Sequence, residues 1–161
     1  IGGLQTYTPG AIALFSPSVN SYRRFTPDIA APINLHWGYE NRTTGIRVPD
    51  SDDQARRVEN RFPGADANPY LAIAVSLACG YLGMKQKLAA SEPHEGDAYQ
   101  EPITVARSLQ EALLLLEQDN DLTEVLGKRF VKAYVAVKRE EFEAFNKVIS
   151  SWEREYLLLN V

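Results

Sequence analysis

Apolar residues open the chain with the spacing of one helix face. Leu4 leads on to Ile12, Leu14 and Phe15, and a helix interrupted at Pro9 is predicted over residues 1–15. Pro17, Pro27 and Pro32 then punctuate a stretch without a regular period, so residues 16–32 are predicted as an irregular loop. Three strand-like runs follow at 33–38, 42–48 and 56–62, with the acidic loop Asp50-Ser51-Asp52-Asp53 between the second and third. A helix is predicted to begin behind Asp66 or Asn68 as its cap, with Pro69 near its first turn. It runs to about residue 88, and its Ala, Leu, Ile and Val content is that of a buried helix.

Residues 91–102 form a polar loop with two prolines. Ser108 and Glu111 stand three apart in Ser108-Leu109-Gln110-Glu111, a capping-box pattern that opens a helix through Leu116. Asp121 is predicted to cap an amphipathic helix reaching about Lys147, with Leu122, Val125, Leu126, Phe130 and Val131 on one face. A short helix at 152–159 ends in an apolar tail. The sum is an α+β fold with few antiparallel strands among several helices, too few for a chain of this size, so part of a sheet is expected to be missing. The chain also opens on Ile1 within a helical pattern, so a longer polypeptide is expected.

Composition narrows the picture. One hundred and sixty-one residues fit one domain, and 45% hydrophobic with 24% charged residues is ordinary for a soluble globular protein. The net charge of -4 argues against a dedicated nucleic-acid binder. Cys79 is the single cysteine, which rules out an intrachain disulfide and fits a reducing, cytoplasmic setting. It lies in an apolar run and reads as core. No apolar run approaches the roughly 18 residues of a membrane helix, and residues 1–15 lack the basic region and cleavage pattern of a signal peptide.

The candidate chemistry is concentrated in the arginines. Between residues 20 and 61 the chain carries Arg23, Arg24, Arg42, Arg47, Arg56, Arg57 and Arg61, and no lysine. The guanidinium fork binds carboxylate or phosphate oxygens in pairs and keeps its charge. Arg57, Glu59 and Arg61 alternate, so as a strand they share one face, with Val58 and Phe62 on the other. A carboxylate between two arginines suits a metal-bound polyphosphate: the acid holds the cation and the arginines hold the oxygens. A solvated ladder of surface ion pairs fits the same spacing. Elsewhere, His36 reads as a packed strand histidine, His94 as part of a solvated loop, and Tyr99 as a residue in that loop without a modification context.

Several dispersed blocks carry a family resemblance. Asn20-Ser21-Tyr22-Arg23-Arg24-Phe25, Ala31-Pro32-Ile33-Asn34-Leu35, Asn41-Arg42-Thr43-Thr44-Gly45-Ile46-Arg47-Val48-Pro49, Arg57-Val58-Glu59-Asn60-Arg61-Phe62-Pro63 and Ala67-Asn68-Pro69-Tyr70-Leu71 resemble successive blocks of glutamine synthetases. Order and separation match, and the resemblance extends over essentially the whole chain, residues 1–161, as the C-terminal part of the catalytic domain. It implies an ATP- and Mg- or Mn-dependent ligase that phosphorylates the γ-carboxylate of glutamate and lets an amine displace the phosphate. By resemblance Arg24 grips glutamate, Arg42 meets the transferred phosphoryl group, and Arg47 and Arg57 hold nucleotide phosphates. Glu59 is matched to a metal ligand, and Arg61 to an arginine at glutamate and the phosphorylated intermediate.

Two departures shape that expectation. Many glutamine synthetases place a glutamate directly before the Ala-Pro pair of a flap, where it helps take a proton from ammonium. Here the flap reads Asp28-Ile29-Ala30-Ala31-Pro32, and Ala30 leaves room for an alkyl amine. Asp28 lies two positions away and does not take the role. With Trp37-Gly38-Tyr39-Glu40-Asn41-Arg42 and Ser151-Trp152-Glu153-Arg154-Glu155-Tyr156, the flap is similar to the γ-glutamylpolyamine (putrescine) synthetase branch. Ordinary glutamine synthetase with ammonia is the alternative, and a catalytically dead member with a structural or sensing role is a third. The family's N-terminal β-grasp domain, its paired metal carboxylates and its metal-binding histidine all belong before Ile1. The 161 residues alone are therefore expected to be inactive. The resemblance also implies a homo-dodecamer of two hexameric rings at full length, with the apolar tail packed either on its own subunit or in a neighbour.

Overall fold

The computed structural model describes residues 1–160. Helix α1 (Gly2–Phe15) runs through Pro9 without a break, contrary to the predicted interruption. Proline costs one backbone hydrogen bond there, but Tyr7, Ala11, Ile12, Ala13, Leu14 and Phe15 are all buried, and that packing holds the helix together. Its first turn meets α2 (Pro69–Lys85) backbone to backbone. A Cβ on Gly3 would stand 2.2 Å from the Cys79 carbonyl oxygen, so only glycine permits this crossing.

Asn68, not Asp66, caps α2: its side chain accepts from the N–H groups of Tyr70 and Leu71 at 3.0 and 3.4 Å, with Pro69 as the first helical residue. The buried-helix expectation holds for one face only. Ala72, Val75, Ala78, Cys79 and Leu82 pack inward, whereas Tyr70, Ile73, Leu77, Tyr81 and Met84 are exposed. Helix α3 (Leu109–Gln118) is capped by Ser108, whose hydroxyl accepts from Glu111 N–H at 3.1 Å. Glu111 does not close the box on Ser108; it takes Arg107 N–H at 2.8 Å.

The single helix predicted from Asp121 to Lys147 is two. Gly127, at φ +93°, ends α4 (Asn120–Leu126) and starts α5 (Lys128–Asn146), because a left-handed residue cannot continue a right-handed helix. Asp119 caps α4 through Leu122 N–H at 3.0 Å. Leu122, Val131 and Val135 are buried, while Val125 turns outward. Helix α6 (Ser151–Tyr156) carries a complete capping box between Ser150 and Glu153, followed by a 3-10 turn at Leu158–Asn160. The last residue of the apolar tail, Val161, lies outside the described residues.

The three strands are shorter than predicted: β1 (Trp37–Tyr39), β2 (Ile46–Val48) and β3 (Glu59–Asn60), in the order β1-β2-β3. β2 and β3 pair antiparallel, Arg47 opposite Glu59. β1 and β2 pair parallel, Gly38 opposite Arg47, which departs from the antiparallel expectation. The chain turns back through left-handed Glu40 (φ +48°), and His36 C=O then accepts from both Gly45 and Ile46 N–H, setting β2 alongside β1 in the same direction. The α+β class stands. The core lies between α1, α2 and α3, with the small sheet at its edge joined through Ile46 and Phe62.

Candidate active site

Arg47 is the centre of the polar face. The two ladders set it between Gly38 and Glu59, and its side chain is only 13% exposed. One guanidinium nitrogen donates to Glu59 Oε2 at 2.7 Å and the other to Glu40 Oε2 at 2.8 Å. The hydrogen bond from Arg47, then the Asp50 N–H, hold the Glu40 carboxyl below its usual range. In return Glu40 and then Glu59 raise the Arg47 guanidinium. Arg47 Nε is buried without a partner.

Arg61 follows directly after β3. Its Nε lies 4.0 Å from Glu59 Oε1, Nη1 donates to the carbonyls of Thr44 (2.9 Å) and Arg42, and Nη2 donates to Ala30 C=O at 2.7 Å. Burial lowers its guanidinium pKa, opposed by the Glu59 charge. Arg42 itself is exposed on the turn that Arg61 ties down. Arg42, Arg47, Glu59 and Arg61 are thus gathered on one face.

Arg57 is not with them. It lies before β3 with Nη1 on Ala55 C=O at 3.1 Å, and it borders a hollow of about 600 Å³ shared with Trp37, Tyr39, Val48 and Arg56. The continuous strand face expected from Arg57 to Arg61 is cut short, because only Glu59 and Asn60 pair with β2. Arg24 makes its contacts with a different set of residues. Its Nη2 donates to Ser16 Oγ at 2.9 Å and to Phe62 C=O, its guanidinium lies 4.4 Å from the Phe25 ring centre, and its Nε is buried without a partner.

A network behind Arg24 fixes the loop that carries it. Asp66 accepts from the hydroxyls of Ser21 at 2.5 Å and Ser18 at 2.9 Å. Burial works to raise the Asp66 carboxyl, yet these bonds leave it lowered.

Sequence reasoning missed three participants. Glu40 pairs with Arg47 only because of the parallel register, which no alternation reveals. Tyr99, from the loop after α2, has its hydroxyl buried without a partner near Arg61 and Asp28. His94 is half-buried: its ring stacks on His36 at 4.8 Å, and its backbone N–H donates to Trp37 C=O at 2.7 Å. Asn41 Nδ2, which donates to Gly96 C=O at 2.8 Å, pins the same loop. Cys79 is buried and its thiol is pushed up to about 12 by that burial, so it is no nucleophile.

Among the described residues no three His, Cys, Asp or Glu side chains converge as a metal site. Glu59 supplies one hard oxygen donor between two arginines, which fits the edge of a cation–phosphate site but is too few donors to hold Mg or Mn. No helix among the described residues is long and apolar enough to cross a membrane.

Residues 1–157 match the glutamine synthetase catalytic-domain family. A glutamine synthetase of Methanocaldococcus jannaschii is 36% identical over 98% of this chain and 37% of its own length. The γ-glutamylputrescine synthetase PuuA of Escherichia coli K12 is 37% identical over 99% of this chain and 34% of its own. A solved structure of apo GmaS without ligand superposes with a TM-score of 0.86 at 33% identity, covering 98% of this chain and 37% of that one. The chain therefore spans roughly a third of the length of these relatives. It belongs to the glutamine synthetase family, matching its catalytic domain.

Proposed function

We propose that these residues are the C-terminal, anion-holding part of an ATP-dependent ligase that joins glutamate to an amine through γ-glutamyl phosphate. The observation that carries the proposal is the Arg47–Glu59–Arg61 cluster with Arg42 exposed beside it. Phosphoryl transfer needs fixed positive charge around the moving group more than covalent help. Arg42 and Arg61 are assigned to the transferred phosphoryl group, Arg47 and Arg57 to the nucleotide phosphates, and Arg24 with Arg61 to the glutamate. Glu59 would be one ligand to Mg or Mn, whose charge eases the approach of carboxylate to phosphate. The buried, unpartnered Nε groups of Arg24 and Arg47 support an anion-holding role, since a buried donor without an acceptor is costly.

The remaining metal ligands and the β-grasp domain are assigned to a preceding part of a longer polypeptide, and the isolated 161 residues are expected to be inactive. For the amine we favour a polyamine such as putrescine. Ala30 stands where an acidic flap residue would attract ammonium, and its methyl group leaves room for an alkyl chain. Ammonia is the second reading, supported by a glutamine synthetase relative as similar as PuuA. The full-length protein assayed with putrescine against ammonium separates them. A kcat/KM at least tenfold higher for putrescine is expected, and a preference for ammonium would sink the Ala30 argument. The tail supports assembly into a dodecamer: Trp152, Tyr156, Leu158 and Leu159 are exposed, as apolar residues destined for a neighbouring subunit would be.

A further inference from the structure

A hollow separate from the arginine face has two arginines of its own. The 3-10 turn Ser21–Arg24, the start of α3 and the end of α5 enclose about 370 Å³. Small-molecule sites usually measure roughly 300–1,000 Å³. None of the lining residues belongs to the Arg42–Arg47–Glu59–Arg61 cluster or to the hollow bordered by Arg57.

Its wall joins positive charge to aromatic surface. Arg23 and Arg107 are exposed, and neither guanidinium has a hydrogen-bond or ion-pair partner among the described residues. Only their backbones are engaged: Arg23 C=O accepts from Thr26 Oγ1 at 3.2 Å, and Arg107 N–H donates to Glu111 at 2.8 Å. No carboxylate lines the hollow. The first turn of α3 adds the positive end of a helix dipole. From α5 come Phe142, half-buried, and Phe145, 45% exposed. Tyr22 completes the wall at 4% exposure, with its hydroxyl buried and unpartnered. Burial raises the Tyr22 pKa, so the phenol keeps its proton and remains a donor short of an acceptor.

We propose that this hollow binds a small aromatic oxyanion: Arg23 and Arg107 hold its carboxylate or phosphate group, and its ring lies against Phe142 and Phe145. Guanidinium groups present paired N–H donors to such oxygens, and the phenyl rings suit a flat apolar body through offset or edge contacts. Both halves are needed. An ion without a ring gains little from exposed, screened arginines, and a ring without an ion leaves two like charges unneutralised. The site does not depend on the proposed ligase function.

The test is calorimetric titration of the full-length protein with phenyl phosphate, with inorganic phosphate and phenol as head-only and ring-only probes. Phenyl phosphate is expected to bind saturably and roughly tenfold more tightly than either. Replacing both arginines, Arg23→Gln with Arg107→Gln, is expected to weaken it about tenfold without moving the thermal midpoint, because neither side chain has a partner to lose. Phe145→Ala is expected to weaken phenyl phosphate several-fold and to leave inorganic phosphate unaffected. Wild-type affinity in both variants overturns the proposal. So does the absence of saturable binding to the wild type, the result expected if a neighbouring subunit fills the hollow. Arg42→Ala controls for phosphate held at the arginine face and is expected to bind the probe as the wild type does. Binding lost in R42A and kept in the double variant would assign the probe to that face and refute the site. In a wild-type crystal soaked with phenyl phosphate, density is expected between Arg23 and Arg107, and density at the arginine face alone would refute it equally.

Discussion

Asp66 shows how a residue without a role in the chemistry can hold a candidate site residue in place. Its carboxylate holds Ser18 and Ser21, and so fixes the loop that presents Arg24. Because its folded pKa is lowered, it adds stability above the ordinary aspartate value of about 3.9. That contribution is lost as the pH falls through the lower folded value. Asp66→Ala is expected to cost about 1–2 kcal/mol in urea unfolding at pH 7, and the difference from wild type should shrink toward pH 3. A difference constant with pH would show that the ionised carboxylate is not the source. The kinds of residue at the candidate site were legible in the sequence, as seven arginines with an embedded glutamate. Their partners were not. Glu40 depends on a parallel register, and Tyr99 lies 38 positions along the chain from Arg61, a separation that no local period connects.

At the scale of elements, single left-handed residues did what hydrophobic spacing could not forecast. Apolar positions run on across Gly127 as though through one helix, yet its φ of +93° turns the chain and separates α4 from α5. Gly127→Ala is expected to lower stability by about 1–2 kcal/mol, because alanine disfavours that angle; thermal unfolding measures it. An unchanged or higher midpoint would mean that the two helices merge without loss. Helix starts were easier to read, because a cap is written in a few adjacent residues: Asn68 before Pro69, and Ser108 before Leu109, both act as such. The strands were overestimated, because extended runs such as 33–36 bond to loops rather than to a ladder. Ile33 C=O, for example, accepts from Thr104 N–H at 2.9 Å.

At the scale of the whole molecule, two exposed apolar surfaces stand out. The outward stripe of α2, Tyr70, Ile73, Leu77, Tyr81 and Met84, and the tail around Trp152 and Leu159 are apolar and exposed, and the proposed assembly would cover the tail. Removing residues 151–161 from the full-length protein is expected to leave its unfolding midpoint unchanged and to dissociate the assembly, read by sedimentation velocity. A lower midpoint with assembly intact would place the tail on its own subunit instead. The arginine face is proposed to serve ATP-driven amide formation on glutamate. The most direct measurement is product analysis by mass spectrometry of full-length protein incubated with ATP, Mg, glutamate and putrescine or ammonium. One γ-glutamyl amide per ADP is expected, with the rate reduced on the order of 10²-fold or more by Arg42→Ala. ADP formation that ignores glutamate, or no amide with any amine from a folded protein, would contradict it.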